Sequence, residues 1–361
     1  MSNQNPTHST PPVDALGQFA PEESWPPVTV MIPVLDEENH LDAAVRQVLA
    51  QDYPGEVEVI LAVGPSKDRT AEVAAALAAA DERVTVVENP SGRTPDALNA
   101  AIAASHHPII VRVDGHAELS EGYIRLAVAE LLRVGADNVG GIMNAQGRTT
   151  FEKAVACAMR SKIGVGNARF HVGGEAGPAD TVYLGVFRRR ALEKAGGYDP
   201  HFTRAQDWEL NHRIRQAGGT VWFTPALSVT YRPRGSFSAL ATQYRNYGRW
   251  RRVVAATHEG TINLRYLAPP AMVLGTVAAT VLGTVWHPAW IVPAGYLAGI
   301  TAGALSTSRG EPLKVRATLP AVLATMHWSW GIGFITSPKE LREVSPTHNE
   351  EGATATTLDQ R

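Results

Sequence analysis

The first part of the chain alternates between short apolar runs and segments in which apolar residues recur at helical spacing. Four apolar runs have the length of buried strands: Val28–Val34, Glu56–Val63, Arg83–Asn89 and Pro108–Asp114. Helical patterns follow the first three runs, in HLDAAVRQVLAQ, DRTAEVAAALAAA and TPDALNAAIAAS. This alternation predicts βαβ units and an α/β fold with a mostly parallel sheet flanked by helices. Ligands of such sheets bind beyond the carboxyl ends of the strands, so the residues after each run are the first candidates for a site.

The pattern becomes less regular between residues 120 and 235. It predicts a helix at Gly122–Arg133 and a strand in NVGGIMNA, followed by a mobile loop in the Gly-rich stretch GVGNARFHVGGEAGPADT. Beyond the loop it predicts a strand in TVYLGVFRR, a helix in AQDWELNHRIRQAG and one or two strands in TVWFTPALSVTYRPR. These elements complete a domain that we place at residues 26–235.

Three long apolar stretches follow residue 265. Leu267–Trp286 contains no charged residue and, at about 1.5 Å per residue, is about 30 Å long, the thickness of a bilayer core. Ala289–Ser306 is similar but shorter, and Ala317–Thr336 carries only His327. We therefore expect about three transmembrane helices within residues 266–337, with a soluble helical cap rich in alanine as the alternative.

Basic residues flank these stretches asymmetrically. The turn between the first two stretches has no Lys or Arg, whereas basic residues lie before the first stretch and between the second and third. They are Arg245, Arg249, Arg251, Arg252, Arg309, Lys314 and Arg316. By the positive-inside rule this predicts a multi-pass protein of the cell membrane, with the preceding domain on the cytoplasmic side and the lipid bilayer as a partner.

The segment at residues 236–265 joins the predicted domain to the apolar stretches. Its apolar residues Phe237, Leu240, Tyr244 and Tyr247 recur at helical spacing. This spacing fits an amphipathic helix in the membrane interface, and it equally fits a helix packed on the protein's own core.

The chain ends and the composition restrict the classes of function. Residues 1–25 are polar and Pro-rich and lack the features of a secretory signal, so we expect a disordered lead there and a polar tail at residues 338–361. Lys and Arg total 33 against 35 Asp and Glu, which gives no basis for a nucleic-acid partner. Cys157 is the only cysteine, which excludes an internal disulfide.

Four segments together resemble the inverting family-2 glycosyltransferases, which have the GT-A fold. They are VTVMIPVLDEENHLDAAVRQVLAQDYP, NPSGRTPDALNAAIAAS, VRVDGHAEL and GGYDPHFTRAQDWELNHRIRQAGG, within about residues 28–235. The first looks like the family's Pro-x-x-Asn-Glu turn, with Asp36 in place of Asn. The second matches the family's Asn-x-x-Gly…Arg…Asn segment at Asn89, Gly92, Arg93 and Asn99. The third stands at the Asp-x-Asp metal motif, with His116 in place of the second Asp, a variant most like the succinoglycan-type exopolysaccharide branch.

The resemblance implies a membrane-anchored hexosyltransferase. It would move a sugar with inversion from a nucleotide-sugar donor to a lipid-linked or polysaccharide acceptor, with a divalent cation, Mn²⁺ or Mg²⁺, at the donor diphosphate. The implied donor-binding residues are Pro33, Asp36, Glu37, Arg93 and Asp114. The implied metal ligands are Asp114 and His116, the general base is Asp207, and the acceptor side comprises Gln206, Trp208, Arg249 and Trp250.

Each of these residues also has a purely structural interpretation. Asp114 could open a turn that His116 caps, and Arg93 could be a solvated loop residue. Asp36 and Glu37 could stabilise the N-terminus of the first helix, and Asp207 could be an ordinary N-cap. A carboxylate and an imidazole are nevertheless the ligands that Mn²⁺ accepts, and inversion requires a base on the face opposite the leaving group.

Two departures from the family pattern limit what the resemblance implies. Val63 and Gly64 stand where the family has an Asp pair near the base of the nucleotide, so a uridine donor is not specified. The Gln-x-x-Arg-Trp motif of processive synthases is loosened to Gln243 and Arg249-Trp250, which favours the addition of a single sugar.

Two other functions remain as alternatives. A sugar nucleotidyltransferase usually has a Gly-rich, basic loop after its first strand, whereas this chain has the acidic PVLDEEN. A non-catalytic membrane component of a polysaccharide assembly complex would be favoured by loss of Asp114 or Asp207, and both are present.

Overall fold

The computed structural model describes residues 25–342, so the predicted lead and most of the predicted tail lie outside the described residues. The chain forms two compact units. The first, here called the sheet unit, comprises the described part of Met1–Gln146 together with Asn167–Arg232. The second, the helical unit, comprises Gly147–Gly166 and the described part of Pro233–Arg361. The segment Gly147–Gly166 thus belongs to the helical unit although it lies inside the predicted domain of residues 26–235.

The strands of the sheet unit form one sheet of nine strands in the order β3-β2-β1-β4-β8-β6-β9-β5, with β7 paired to β9. The strands are β1 (Val28–Val34), β2 (Val57–Val63), β3 (Val84–Glu88), β4 (Ile109–Arg112), β5 (Glu118–Leu119), β6 (Asn138–Ala145), β7 (Gly177–Pro178), β8 (Tyr183–Arg188) and β9 (Val221–Tyr231). The four strands of the βαβ pattern are confirmed, as are those predicted in NVGGIMNA, TVYLGVFRR and TVWFTPALSVTYRPR.

The helices number thirteen among the described residues. They are α1 (Leu41–Leu49), α2 (Thr70–Ala80), α3 (Thr94–Ala104), α4 (Tyr123–Val134), α5 (Thr150–Met159), α6 (Lys162–Val165), α7 (Arg169–Val172), α8 (Arg189–Ala195), α9 (Gln206–Gln216), α10 (Phe237–Thr257), α11 (Leu264–Gly283), α12 (Ile291–Thr307) and α13 (Leu313–Ile335). A short 3₁₀ helix at His287–Trp290 joins α11 to α12. Helices α5, α6 and α10 to α13 belong to the helical unit, and the others pack around the sheet.

The register of the sheet places the ends of its first strands at one edge. β1 pairs with β2 and β4 in parallel, and β2 pairs with β3 in parallel. The last residues of β1 and β2, Val34 and Val63, lie opposite each other, and the N–H of Val113 donates to the carbonyl of Met31. The loops after β1, β2 and β4 therefore emerge side by side at the carboxyl edge. β8 runs antiparallel between β4 and β6, so the second half of the sheet is mixed.

Side chains alternate along the strands to fill a core on each face of the sheet. Val30 and Ile32 of β1 pack into a buried cluster with Leu41 of α1, whereas Met31 joins a second cluster with Leu98 of α3 on the opposite face. Both clusters are fully apolar and buried, which explains why the first strands appear in the sequence as nearly continuous apolar runs.

The Gly-rich stretch predicted as a mobile loop contains short regular elements. α7 and β7 both lie within it, and Arg169 of α7 donates from Nη1 to the carbonyl of Pro178 in β7 over 3.1 Å. Gly166 and Gly173 end α6 and α7 with positive φ values of 67° and 78°, a conformation that favours glycine. The glycines therefore terminate short helices here.

Two helices of the helical unit are long and apolar enough to cross a membrane. They are Leu264–Gly283 and the stretch His287–Thr307, which correspond to the first two predicted spans. Their outward side chains are strongly exposed, with Val281 at 65% and Ile291 at 76%. Such exposure of branched apolar side chains is typical of a surface that faces lipid.

The third predicted span corresponds to α13, and the structure corrects this prediction. α13 is long enough to cross a membrane but is not apolar enough to be a candidate span. It begins with Lys314 and Arg316, and its apolar side chains are turned inward instead of outward. The fully buried ones are Leu319, Val322, Leu323 and Met326. They pack within the helical unit, although along α13 as a whole the apolar and polar residues are not segregated to opposite faces.

α10 packs closely on α13 at two glycines. A Cβ atom at Gly248 would lie 2.0 Å from the carbonyl oxygen of Trp330, and one at Gly333 would lie 2.0 Å from that of Arg245. Leu240 and Tyr244 of α10 are buried. Phe237 and Tyr247 are exposed, so only part of the predicted apolar stripe is used for packing within the unit.

We expect Gly248→Ala to destabilise the helical unit by about 1–3 kcal/mol, because its methyl group would meet backbone atoms that cannot move aside. Thermal unfolding in detergent measures the effect. Gly299→Ala on α12 is the matched control, since a Cβ there meets nothing within 4 Å. Equal melting temperatures for the two variants would contradict the close packing of α10 on α13.

Candidate active site

The turn after β1 is held against the loop after β2 by Asp36. Asp36 has a positive φ of 55°, a conformation that Asn and Asp tolerate better than other side chains. Its Oδ1 accepts from the N–H of Lys67 over 2.7 Å, and its own N–H donates to Oγ of Ser66 over 3.1 Å. The left-handed backbone gives a physical reason for Asp at a position where the resembling family has Asn.

Glu37 connects the loops after β1 and β4. Its Oε1 lies 2.7 Å from Nδ1 of His116, and its N–H donates to Oγ1 of Thr70 over 2.7 Å. A Cβ atom at Gly115 would lie 3.2 Å from Cγ of Glu37, so glycine there allows the two loops to approach. When Nδ1 of His116 donates to this carboxylate, Nε2 carries the ring's lone pair, which is the usual arrangement of a metal-binding histidine.

Arg112, the last residue of β4, joins two of the predicted carboxylates. It is buried, with 4% exposure. Its Nη2 donates to Oδ1 of Asp114 over 3.1 Å, and its Nη1 donates to Oδ1 of Asp207. Its guanidinium carbon lies 5.9 Å from the centre of the Tyr198 ring. The sequence analysis did not single out Arg112, although an arginine inside an otherwise apolar strand signals a buried partner.

The surroundings of Asp207 make it a weaker acid than an ordinary aspartate. Burial, the largest effect, and the nearby Asp114 raise the pKa of Asp207, Arg112 lowers it, and together they bring it to about 6. The two carboxylates in turn keep the pKa of Arg112 well above its usual value despite burial. The Asp207 side chain still retains 26% exposure, so a substrate hydroxyl can reach it.

Asp207 lies in the first turn of α9 and does not cap it. The N-cap is Ala205, which has a positive φ of 62° and makes no side-chain cap, so the alternative interpretation of Asp207 as an N-cap is wrong. Non-glycine residues at such φ values are strained and concentrate at functional sites. The strained Ala205 sets the direction in which α9 begins, and with it the position of Asp207.

Buried polar contacts fix α9 on the sheet. Glu209, with 1% exposure, pairs with Arg213 through two hydrogen bonds of 2.6 Å, as the sequence predicts for residues four apart. Asn211 accepts from Nδ2 of Asn138 in β6 over 2.7 Å and donates to Oγ1 of Thr181 over 2.9 Å. Such buried networks hold an element in one position, because leaving any member unpaired is costly.

The predicted acceptor-side residues lie in different units. Gln206 and Trp208 are on α9 in the sheet unit, and the Trp208 ring stacks on His212 at 5.3 Å. Arg249 and Trp250 are on α10 in the helical unit. There Trp250 is buried, and the carbonyl of Arg249 accepts from Oγ of Ser337 over 3.1 Å.

The segment with Asn89, Arg93 and Asn99 supports the turn before α9. Asn99 receives the N–H of Tyr198 over 2.8 Å and donates to its carbonyl over 2.7 Å. Arg93 donates from Nε to Asp96 over 2.7 Å and from Nη1 to the carbonyl of Pro200 over 3.4 Å. Asn99 thus holds the Tyr198 turn, and Arg93, whose side chain is 48% exposed, lies beside it.

The described residues include no group of three or more His, Cys, Asp or Glu that could hold a metal ion by themselves. Asp114 and His116 could supply a carboxylate oxygen and an imidazole nitrogen. Mg²⁺ and Mn²⁺ sites at nucleotides take their other ligands from phosphate oxygens and water, so a pair of side chains fits such a cation together with a donor diphosphate. Pro33 lies in β1 opposite Ala62, next to these loops.

The fold and the strand-end loops define a class of protein. The family model described as "Glycosyltransferase like family 2" matches residues 26–252, and the chain belongs to this family. The sheet, its flanking helices and the loops at its carboxyl edge form the GT-A fold. Family membership favours a glycosyltransferase over the nucleotidyltransferase alternative.

Particular relatives agree with this class. The chain is 31% identical over 310 residues to the succinoglycan biosynthesis protein ExoA of Rhizobium meliloti, an alignment that covers 84% of this chain and 93% of that protein. It is 22% identical over 251 residues to a dolichyl N-acetyl-alpha-D-glucosaminyl phosphate 3-beta-D-2,3-diacetamido-2,3-dideoxy-beta-D-glucuronosyltransferase of Methanococcus voltae, covering 67% and 77% of the two chains. The structure of a mannosyltransferase from Pyrobaculum calidifontis in complex with GDP-Man and Mn²⁺ superposes with a TM-score of 0.56 at 20% identity, covering 88% and 90%.

Proposed function

We propose that this chain is a membrane-anchored, inverting hexosyltransferase that moves a sugar from a nucleotide-sugar donor to a lipid-linked or polysaccharide acceptor. The observation that carries the proposal is the arrangement of Asp114 and Asp207 on one buried arginine at the carboxyl edge of the sheet. It gives a donor-side carboxylate and a second carboxylate with a raised pKa, the two groups that inverting transfer needs.

The donor side is formed by the loops after β1, β2 and β4, with Pro33, Asp36, Glu37, Arg93 and Asp114 as the proposed contacts. Asp114 and His116 are the proposed ligands of a divalent cation, and the Mn²⁺ and GDP-Man bound to the structurally similar mannosyltransferase support the use of such a cation. The cation supplies stabilisation of the negative charge that develops on the leaving diphosphate. The His116–Glu37 pair holds the imidazole ring in position.

Asp207 is the proposed general base. It accepts the proton of the acceptor hydroxyl as that oxygen attacks the anomeric carbon from the face opposite the diphosphate, which inverts the configuration. A pKa of about 6 leaves the carboxylate mostly ionised at neutral pH while making it a stronger base than an ordinary aspartate. Gln206 and Trp208, on the same helix, are the proposed acceptor contacts.

The membrane anchor is proposed to be the hairpin of α11 and α12. The joining 3₁₀ helix has no Lys or Arg, whereas Arg251 and Arg252 precede α11 and Arg309 follows α12. This distribution supports a cytoplasmic location for both ends of the hairpin, where nucleotide sugars are available. The relatives in exopolysaccharide and dolichyl-linked glycan synthesis support an acceptor at a bilayer surface.

Calorimetry on the detergent-purified protein with a panel of nucleoside diphosphates, with and without Mn²⁺, tests the donor site. We expect one nucleotide to bind in the presence of Mn²⁺, and to bind about tenfold more weakly or worse in Asp114→Asn because a cation ligand is lost. Asp81→Asn is the matched control, because Asp81 pairs with Arg83 before β3 at the other edge of the sheet. Absence of nucleotide binding under every cation condition would contradict the transferase proposal.

A further inference from the structure

Arg112 occupies a position where a charge is costly. The rest of the β4 run, Ile109, Ile110, Val111 and Val113, is buried between the two cores of the sheet unit, and Arg112 itself has 4% exposure. A guanidinium in such surroundings loses its hydration, and apolar residues in place of a buried ion pair are often neutral or stabilising. Fold stability alone therefore does not explain an arginine at the end of this strand.

The hydrogen-bond partners of Arg112 come from the two sides of the proposed reaction. Asp114 lies two residues further along the same chain segment, on the donor side. Asp207 lies 95 residues further along the chain, on α9. The planar guanidinium presents its two N–H donors in a fixed fork, so one side chain determines the separation of the two carboxylates.

The pocket of Arg112 is itself held rigidly. The Tyr198 ring lies against the guanidinium, and the backbone of Tyr198 is fixed by two hydrogen bonds to the Asn99 side chain. α9, which carries Asp207, is held against the sheet by the buried Asn211, which contacts Asn138 and Thr181. Arg112 is therefore the link between two parts of the site that are each held by their own element.

We propose that Arg112 is a positioning residue for the transfer reaction: it holds Oδ1 of Asp207, presents Oδ2 to the acceptor hydroxyl, and sets the distance from this base to the donor-side Asp114. This inference rests on the proposed function. In the transfer step the acceptor O–H bond breaks and its proton moves to Oδ2 of Asp207. The acceptor oxygen bonds to the anomeric carbon, and the nucleoside diphosphate leaves with the electron pair of the broken C–O bond.

Turnover, measured as release of nucleoside diphosphate from the matching nucleotide sugar, tests this role in Arg112→Met, Arg112→Lys, Asp207→Asn and the double variant Arg112→Met/Asp207→Asn. We expect kcat of Arg112→Met to fall about tenfold or more with KM for the donor nearly unchanged, because the base is present but misplaced. Arg112→Lys retains an intermediate kcat, since an ammonium can reach only one carboxylate well. In the Asp207→Asn background, Arg112→Met adds no more than about a twofold loss, because the group that it positions is already gone.

Calorimetric binding of the nucleoside diphosphate with Mn²⁺ to every variant serves as the folding control. If Arg112→Met does not fold, Arg112→Lys is used instead, with the same expectation that kcat falls while KM for the donor stays nearly unchanged. Two results would overturn the role of Arg112 without affecting the proposed function. One is a kcat of Arg112→Met equal to that of the active wild type. The other is a double variant in which Arg112→Met lowers kcat as much as it does in the wild-type background. A wild type that binds nucleotide but releases none from any nucleotide sugar would overturn the proposed function, and with it the role of Arg112.

Discussion

Asp207→Asn is expected to lower kcat by about a thousandfold while leaving nucleotide binding intact, because an amide cannot take the proton of the acceptor hydroxyl. The amide has nearly the same shape and can still accept from Arg112, so the fold is preserved. Release of nucleoside diphosphate at saturating donor measures kcat, and calorimetry measures binding. Asp199→Asn is a matched control, because Asp199 lies in the segment before α9, where it accepts from the N–H of His201 and is outside the Arg112 pair. A variant with kcat within tenfold of the wild type would show that Asp207 is not the base.

The pH dependence of the reaction is expected to report the raised pKa of the same residue. The base acts when it is deprotonated, so kcat should be level above about pH 6 and fall about tenfold per pH unit below it, reaching about a hundredfold at pH 4. An aspartate with its ordinary pKa of 3.8 would leave the profile level down to about pH 4. A profile that is level to pH 4 would therefore contradict the raised pKa.

Two checks separate this effect from others at low pH. The charged and titratable groups around Asp207 are Arg112, Asp114 and Tyr198. The proposed role of His116 is to hold the cation, so its protonation would weaken nucleotide binding instead of lowering kcat at saturating donor. The His116→Asn variant should therefore show the same fall of kcat below about pH 6. Protonation of Asp207 does not lower kcat by unfolding the protein. A carboxyl group whose pKa is raised in the folded state binds its proton more tightly there than in the unfolded chain. Its contribution to the free energy of unfolding rises as the pH falls through about 6.

The sequence predicts the first half of the sheet well for a physical reason. Strands covered by helices on both faces are nearly continuous apolar runs, as in β1 and β4, whereas the edge strand β3 is largely exposed. β7 could not be predicted, because two residues held by pairing to β9 have no periodicity of their own. The antiparallel direction of β8 depends on pairings between residues far apart in the chain, which the pattern along one segment does not contain.

The third apolar stretch shows how composition and spacing can disagree. Its alanines and leucines have the composition of a membrane span, but Leu319, Val322, Leu323 and Met326 follow the spacing of a single buried face. The packing of α13 depends on its contacts with α10 and α5, which lie far from it in the chain, so the pattern of this one stretch does not contain it.

The candidate site was predicted in its residue types but not in its connections. Asp114, His116 and Asp207 are visible in sequence because they follow strand or helix patterns at the expected places. The pairing of His116 with Glu37, and of Asp207 with Arg112, joins segments that are 79 and 95 residues apart. Only the fold brings these groups together, and the site residues assigned from the resemblance remain proposals that the variants above can test.

The position of the segment Gly147–Gly166 in the chain affects how the protein can fold while it is being synthesised. α5 leaves the ribosome directly after β6, but its buried side chains, among them Val155 and Met159, pack within a unit whose other helices begin only at Phe237. The nascent chain must therefore keep an apolar helix unburied while β8, α9 and β9 are still being made. A shortened gene that stops at residue 232 would leave this helix permanently without its unit, so the sheet unit cannot be separated from the helical unit by a single cut in the chain.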